Sequence, residues 1–155
     1  MKRSLFFVLA LCLVPAVARE WVPFRPGAPE RAGEFRVVSS DHNHTLVELD
    51  LAGVYVDEVT GNGRTFQTVD FGMAAGGLLT EVGSPQLPVV ARFISIPDDR
   101  AVRVRVLESD EVSLAGYNVY PAQPPAPENQ RSAPFTIDEK RYRTNELYPA
   151  VSFRV

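Results

Sequence analysis

In Leu46-Val47-Glu48-Leu49-Asp50-Leu51 apolar and acidic side chains alternate from Val47 onward. Successive side chains of a strand point to opposite faces, so Val47, Leu49 and Leu51 share one face and Glu48 and Asp50 the other. The pattern predicts a half-buried strand. The same period of two returns at Val102, Val104 and Val106, separated by Arg103 and Arg105. It returns again at Val151, Phe153 and Val155, separated by Ser152 and Arg154. No stretch sustains the i, i+3, i+4 spacing of an amphipathic helix, and only Ile137 to Leu147 has room for a short helical turn.

Turn chemistry falls between these runs. Thr60-Gly61-Asn62-Gly63 separates Val54-Tyr55-Val56 from Thr65-Phe66. Asn-Gly accepts positive φ at both central turn positions, so a hairpin is predicted here. Asp98-Asp99-Arg100 predicts a second turn, joining a strand at 89–96 to one at 101–107. Thirteen prolines and ten glycines suit a domain with many turns. Together these signals predict an all-β chain, a two-sheet β-sandwich of about eight short strands. The pattern leaves the strand order open. Pro23, Pro26, Gly27, Pro29 and Gly33 mark residues 19–34 as an extended lead-in, on which Trp21 and Phe24 are candidates to dock.

The N-terminus has the three parts of a secretory signal. Lys2 and Arg3 are basic, Leu5 to Val14 is apolar, and Ala16-Val17-Ala18 is a small-residue cleavage site. Residues 1–18 are therefore expected to be removed, leaving Arg19 first. The apolar run is shorter than the roughly 20 residues of a membrane helix, so no membrane insertion is expected once the signal is gone. Cys12 lies inside the signal behind Leu11, unlike the cysteine of a lipoprotein signal. Without the signal the chain has no cysteine, hence no disulfide and no thiol chemistry. It then carries 14 basic and 19 acidic residues, a net charge of −5. No basic patch is present, which argues against a nucleic-acid partner.

Few residues offer chemistry. Ser39-Ser40-Asp41-His42-Asn43-His44 contains both histidines. His42 and His44 at i, i+2, with Asp41 beside them, suit a metal site or part of a serine triad. The polarity of the cluster between two strand patterns favours a solvated turn. Asn43-His44-Thr45 also fits a glycosylation sequon, which matters only in a eukaryotic host. Met73-Ala74-Ala75-Gly76-Gly77 lacks the lysine of a phosphate loop and reads as a flexible loop. Tyr117, Tyr120, Tyr142 and Tyr148 are candidates for a sugar platform, although tyrosines more commonly fill cores and sheet edges. No cofactor is expected, and no metal. The run 121–135 holds Pro121, Pro124, Pro125, Pro127 and Pro134, with Arg131 as its only basic residue. Prolines pre-order an extended chain and reduce the entropy lost on docking, which suits a segment presented to a protease cleft. An ordinary surface loop is the alternative.

A further series of motifs is punctuated by proline. Gly83-Ser84-Pro85-Gln86-Leu87-Pro88 enters an apolar run that leaves at Ile94-Ser95-Ile96-Pro97. Tyr120-Pro121-Ala122 and Tyr148-Pro149 follow. In order and spacing these motifs, with Val102, Val104, Val106 and Tyr142, resemble the propeptide of gingipain-like cysteine peptidases. The resemblance spans about Gly83 to Val155. It implies a β-rich prodomain between a signal peptide and a catalytic domain, here residues 35–155. It further implies an intramolecular chaperone that keeps a secreted cysteine endopeptidase of bacteria latent until it is cut away. The implied partner is the cognate catalytic domain, in cis. The family's catalytic histidine and cysteine find no position in this chain, so the chain alone is expected to be no enzyme. The chain stops at Val155 within an apparent strand, which reads as a fragment or as the first part of a longer precursor.

On the resemblance, Arg131 is the candidate inhibitory contact or cleavage point, with Arg100 next. A secreted, non-catalytic β-sandwich for adhesion or carbohydrate binding is the rival class. A small hydrolase built on His42 or His44 is a third.

Overall fold

The computed structural model describes residues 19–74, 76–95, 101–126 and 133–150. Within them the chain is almost wholly β, with seven strands and one short helix. The principal sheet has three strands in the order β1-β4-β5, where β1 is Glu20–Pro23, β4 is Gly53–Gly61 and β5 is Arg64–Asp70. β2 (Glu34–Ser40) and β3 (Thr45–Asp50) form a separate hairpin. β6 (Gly76–Leu78) pairs with β7 (Pro88–Val90). All of these ladders are antiparallel.

β4 and β5 meet at the predicted Asn-Gly turn. Asn62 has φ 49° and Gly63 φ 73°, the left-handed pair such a turn needs. The register is thereby fixed, with Val59 opposite Phe66 and Val56 opposite Val69. Val54 and Val56 lie on one face of β4 and are both buried, while Phe66 of β5, opposite Val59, is buried on the other face. On β1, Trp21 pairs with Tyr55 of β4, and their rings lie 4.9 Å apart between centroids. The Arg19 guanidinium covers Tyr55 at 4.3 Å and pairs with Asp57 and Asp70. Glu20–Pro23 is thus a strand of the principal sheet, with Trp21 packed on Tyr55.

The β2–β3 hairpin forms where the alternation predicts strands, but the expected half-burial is not met, because Val47 and Leu49 of β3 and Val37 of β2 are exposed. Phe35 opposes Leu49 and Val37 opposes Val47, while Arg36 opposes Glu48. Arg36 and Glu48 form a two-pronged ion pair at 2.8 and 2.9 Å. A bulge between Val37 and Ser39 shifts the register. The short helix α1 (Glu139–Arg143) falls within the 137–147 window. Asp138 is its N-cap, accepting from the amides of Lys140 and Arg141.

The structure also differs from the sequence pattern in which segments form strands. Residues 101–115 form no strand, and all are exposed. The period-two pattern specifies which faces a strand would have, but a strand also needs a ladder partner, and these residues have none here. The strand expected over 89–96 is likewise short, ending at Val90. The turn expected at Asp98-Asp99-Arg100 and the strand expected from Val151 lie outside the described residues.

Candidate functional site

The proline motifs converge on the outer edge of β5. Gln67 holds the 118–120 segment by three bonds. Its amide donates to the Asn118 carbonyl at 2.8 Å, and its carbonyl accepts from Tyr120 at 2.8 Å. Its side-chain Oε1 accepts from the Asn118 amide at 2.7 Å. This makes a parallel bridge from Gln67 to Val119. On the far side of that segment runs Gly83–Leu87. The Gly83 amide donates to the Ala122 carbonyl, the Ala122 amide to the Ser84 carbonyl, and the Gln86 amide to the Tyr120 carbonyl, at 2.8–2.9 Å. Pro85 and Pro121 face each other across this antiparallel bridge. Proline has no amide to donate, so both sit where the ladder asks none of them.

Side chains lock this junction. Phe66 is fully buried. Tyr120 meets it edge-on at 5.8 Å and Phe135 meets it at 5.7 Å, with 5.9 Å between Tyr120 and Phe135. Such tilted contacts suit the quadrupoles of the rings. Gly61 leaves the space for them, since a Cβ there would lie 2.5 Å from the Phe135 ring. Ser84, Pro121 and Ala122 are buried.

Helix α1 closes the junction from the other side. The Asp138 amide donates to the Gly83 carbonyl at 2.9 Å. The Tyr142 hydroxyl donates to the Val119 carbonyl at 2.6 Å. Burial pushes the Tyr142 phenol up to about 12. Arg141 pairs with Glu81 at 3.0 Å and stacks over the Tyr148 ring at 4.6 Å. Burial, then neighbouring Glu81, raises the Tyr148 pKa. The Tyr148–Pro149 peptide bond is cis.

Out of this junction emerges the proline-rich run. Gln123 at one end and Thr136 at the other are joined by reciprocal bonds. The Gln123 side-chain amide donates to the Thr136 carbonyl at 2.9 Å, and the Thr136 amide donates to Gln123 Oε1 at 2.9 Å. The Gln123 side-chain amide also donates to the Pro121 carbonyl at 2.8 Å. The chain between is therefore a loop drawn shut at its neck, with Phe135 anchored in the aromatic cluster. Nothing in the sequence marks Gln123, a lone polar residue among prolines. Its role depends on a partner that lies across the loop.

The structure thus brings together Gly83, Pro85, Leu87, Pro88, Tyr120, Pro121, Tyr148 and Pro149, or holds them beside the junction. Leu87 contributes its carbonyl to the Leu79 amide at 2.9 Å, and Pro88 pairs with Leu78 at the start of β7. Ile96, Pro97, Arg100 and Arg131 lie outside the described residues. The histidine segment is the exposed turn of the β2–β3 hairpin. Asp41 Oδ1 accepts from the amides of Asn43 and His44, and those bonds lower its pKa. Among the described residues no group of three or more histidine, cysteine or acidic residues is placed to hold a metal. Nor is any described helix long and apolar enough to cross a membrane. Of the tyrosines, Tyr120 lies in the aromatic cluster, Tyr142 donates to the Val119 carbonyl, Tyr148 lies under Arg141 and Tyr117 is exposed.

The geometry defines a β module in which Gln123 and Thr136 join the two ends of the proline-rich run. The family model described as Propeptide_C25 matches residues 28–155. The chain belongs to that family, the propeptides of C25 cysteine peptidases of the gingipain type. It is therefore a prodomain without catalytic residues, and its family associates with a cognate peptidase catalytic domain. No curated protein matches the chain. No solved structure matches it.

Proposed function

We propose that this domain is the intramolecular chaperone and latency inhibitor of a secreted, gingipain-like cysteine endopeptidase, acting in cis before it is cut away. Residues 1–18 serve as the signal for export, residues 19–34 as the lead-in and residues 35–155 as the prodomain. The observation that carries the reading is the neck of the loop. Gln123, Thr136 and Phe135 fix the two ends of the proline-rich run, which supports presentation of the run from a set position. Pre-ordering reduces what docking loses in entropy. Covalent linkage supplies a high effective concentration, so a modest intrinsic affinity keeps the enzyme silent. Once the linkage is cut, that advantage disappears and the fragment dissociates.

Arg131 is the anchor in this reading, filling an arginine-preferring specificity pocket opposite a buried carboxylate. Removing one partner of such a pair costs about 2–5 kcal/mol. That corresponds to roughly 30- to several-thousand-fold in affinity. The test adds the purified domain in trans to the active peptidase, beside its Arg131→Ala variant. Inhibition by the first and a large loss in the second is expected. Inhibition by neither overturns the latency role. Equal inhibition by both keeps latency but moves the anchor, with Arg100 next.

A further inference from the structure

Nine consecutive residues, Ala101 to Arg105 and onward to Ser109, make no hydrogen bond of any kind in the described structure. Their sequence nevertheless has the strict alternation of a strand, Val102, Val104 and Val106 against Arg103 and Arg105. Backbone groups must pair or remain with water, and a segment of strand-like sequence whose backbone is unpaired is open to a strand from another chain. The apolar stripe is left bare as well. Val102 and Val104 are 44% exposed and Val106 53%.

The charges point the same way. Arg19, Arg25, Arg31, Arg36, Arg64, Arg141 and Arg143 all bind carboxylates of this chain. Arg92 lies over Phe35. Among the described arginines only Arg103 and Arg105 have no partner. They remain unpaired in a chain with a surplus of acids, and Asp110, close to them in sequence, is taken by Arg25. Two free guanidiniums beside an open strand specify what should lie opposite them, namely carboxylates on the edge of a partner.

We propose that residues 101–107 form a strand only when the domain is bound, by adding to an acidic strand edge of the cognate peptidase catalytic domain. This rests on the prodomain reading above and gives it a second contact, separate from the 121–135 loop. Main-chain bonds would supply affinity, and the arginines and valines on alternate faces would set the register.

The test uses the chain from Arg19 to Val155 and the cognate peptidase with its nucleophilic cysteine changed to alanine. Binding is titrated first, and amide hydrogen exchange is then followed with and without the peptidase. Fast exchange at 101–107 in the free chain, slowed at least tenfold in the complex, is expected. The double variant Arg103→Glu, Arg105→Glu should melt at the same temperature as the parent and bind at least tenfold more weakly. Exchange at 101–107 that stays fast in the complex overturns the inference. So does protection already present in the free chain, through pairing with 89–95 or with a second copy, and so does unchanged affinity of the double variant. A titration that shows no complex for the parent chain overturns the prodomain reading and this inference together, and is distinguished because it fails before any exchange is read.

Discussion

Gln123 and Thr136 hold each other by two bonds of 2.9 Å, one in each direction, across a separation of thirteen residues. A primary amide carries a donor and an acceptor side by side, so one side chain pairs with both the amide and the carbonyl of a backbone residue. The pair does for the proline-rich loop what a ladder rung does for a hairpin.

Gln123→Ala should therefore leave the Thr136 amide and carbonyl without their partner in a partly buried place. Unsatisfied groups of this kind cost about 1–3 kcal/mol. Urea unfolding should show a lower midpoint with an unchanged slope. Inhibition of the cognate peptidase should weaken beyond what the lost stability accounts for, because the loop loses its ordered neck. Retained stability and retained inhibition would show that the neck is redundant.

Phe66 is the residue on which the junction depends. It is fully buried between Tyr120 and Phe135, and its own strand also carries the Gln67 clamp. Phe66→Ala should cost about 3–5 kcal/mol, the range for a truncated core aromatic. A midpoint close to that of the parent chain in urea would mean the aromatic cluster contributes little.

Gly83 and Gly27 separate backbone strain from crowding. Both have positive φ, 82° and 78°. A Cβ at Gly27 meets nothing within 4 Å, whereas one at Gly83 lies 3.0 Å from the Asp138 amide nitrogen. Gly27→Ala should cost about 1 kcal/mol from the left-handed conformation alone. Gly83→Ala should cost more, because the Asp138–Gly83 bond that docks α1 must also give way. Equal unfolding midpoints for the two variants would refute the crowding at Gly83.

The sequence speaks clearly wherever structure is local. Alternation places Val47 and Leu49 on one face of β3, and Asn62-Gly63 builds the β4–β5 turn as the residue types require. The polar run at Asp41–His44 is the turn it reads as. Legibility ends where partners are remote. The bridge between Pro85 and Pro121 joins motifs that are visible singly, but no local pattern says that they touch. Gln67 and Gln123 carry no periodic signal, since each acts through a side-chain amide on a distant backbone. At Val102–Val106 alternation is plain and the strand is absent, because a pattern fixes faces and cannot supply an edge to pair with.

Tyr142 makes alkaline stability a probe of α1 docking. Its folded-state pKa is raised to about 12 because burial disfavours the phenolate. An unfolded tyrosine titrates near 10. Below pH 10 both states hold the proton, and this group adds no pH dependence. Between about 10 and 12 the unfolded chain releases its proton while the folded chain retains it, so stability falls as pH rises. Above about 12 the folded form ionises too, and the phenolate can no longer donate to Val119. Tyr148, whose pKa is also raised, acts in the same direction. Urea midpoints at pH 8 and 9 should agree, and those at pH 10.5 and 11.5 should fall in sequence. Tyr142→Phe should lose about 1 kcal/mol at pH 8 with the bond to Val119. It should also flatten the alkaline decline, leaving the part due to Tyr148. An unaltered decline in Tyr142→Phe would show that the Tyr142 phenol is not held against Val119, and that α1 does not close the junction as described.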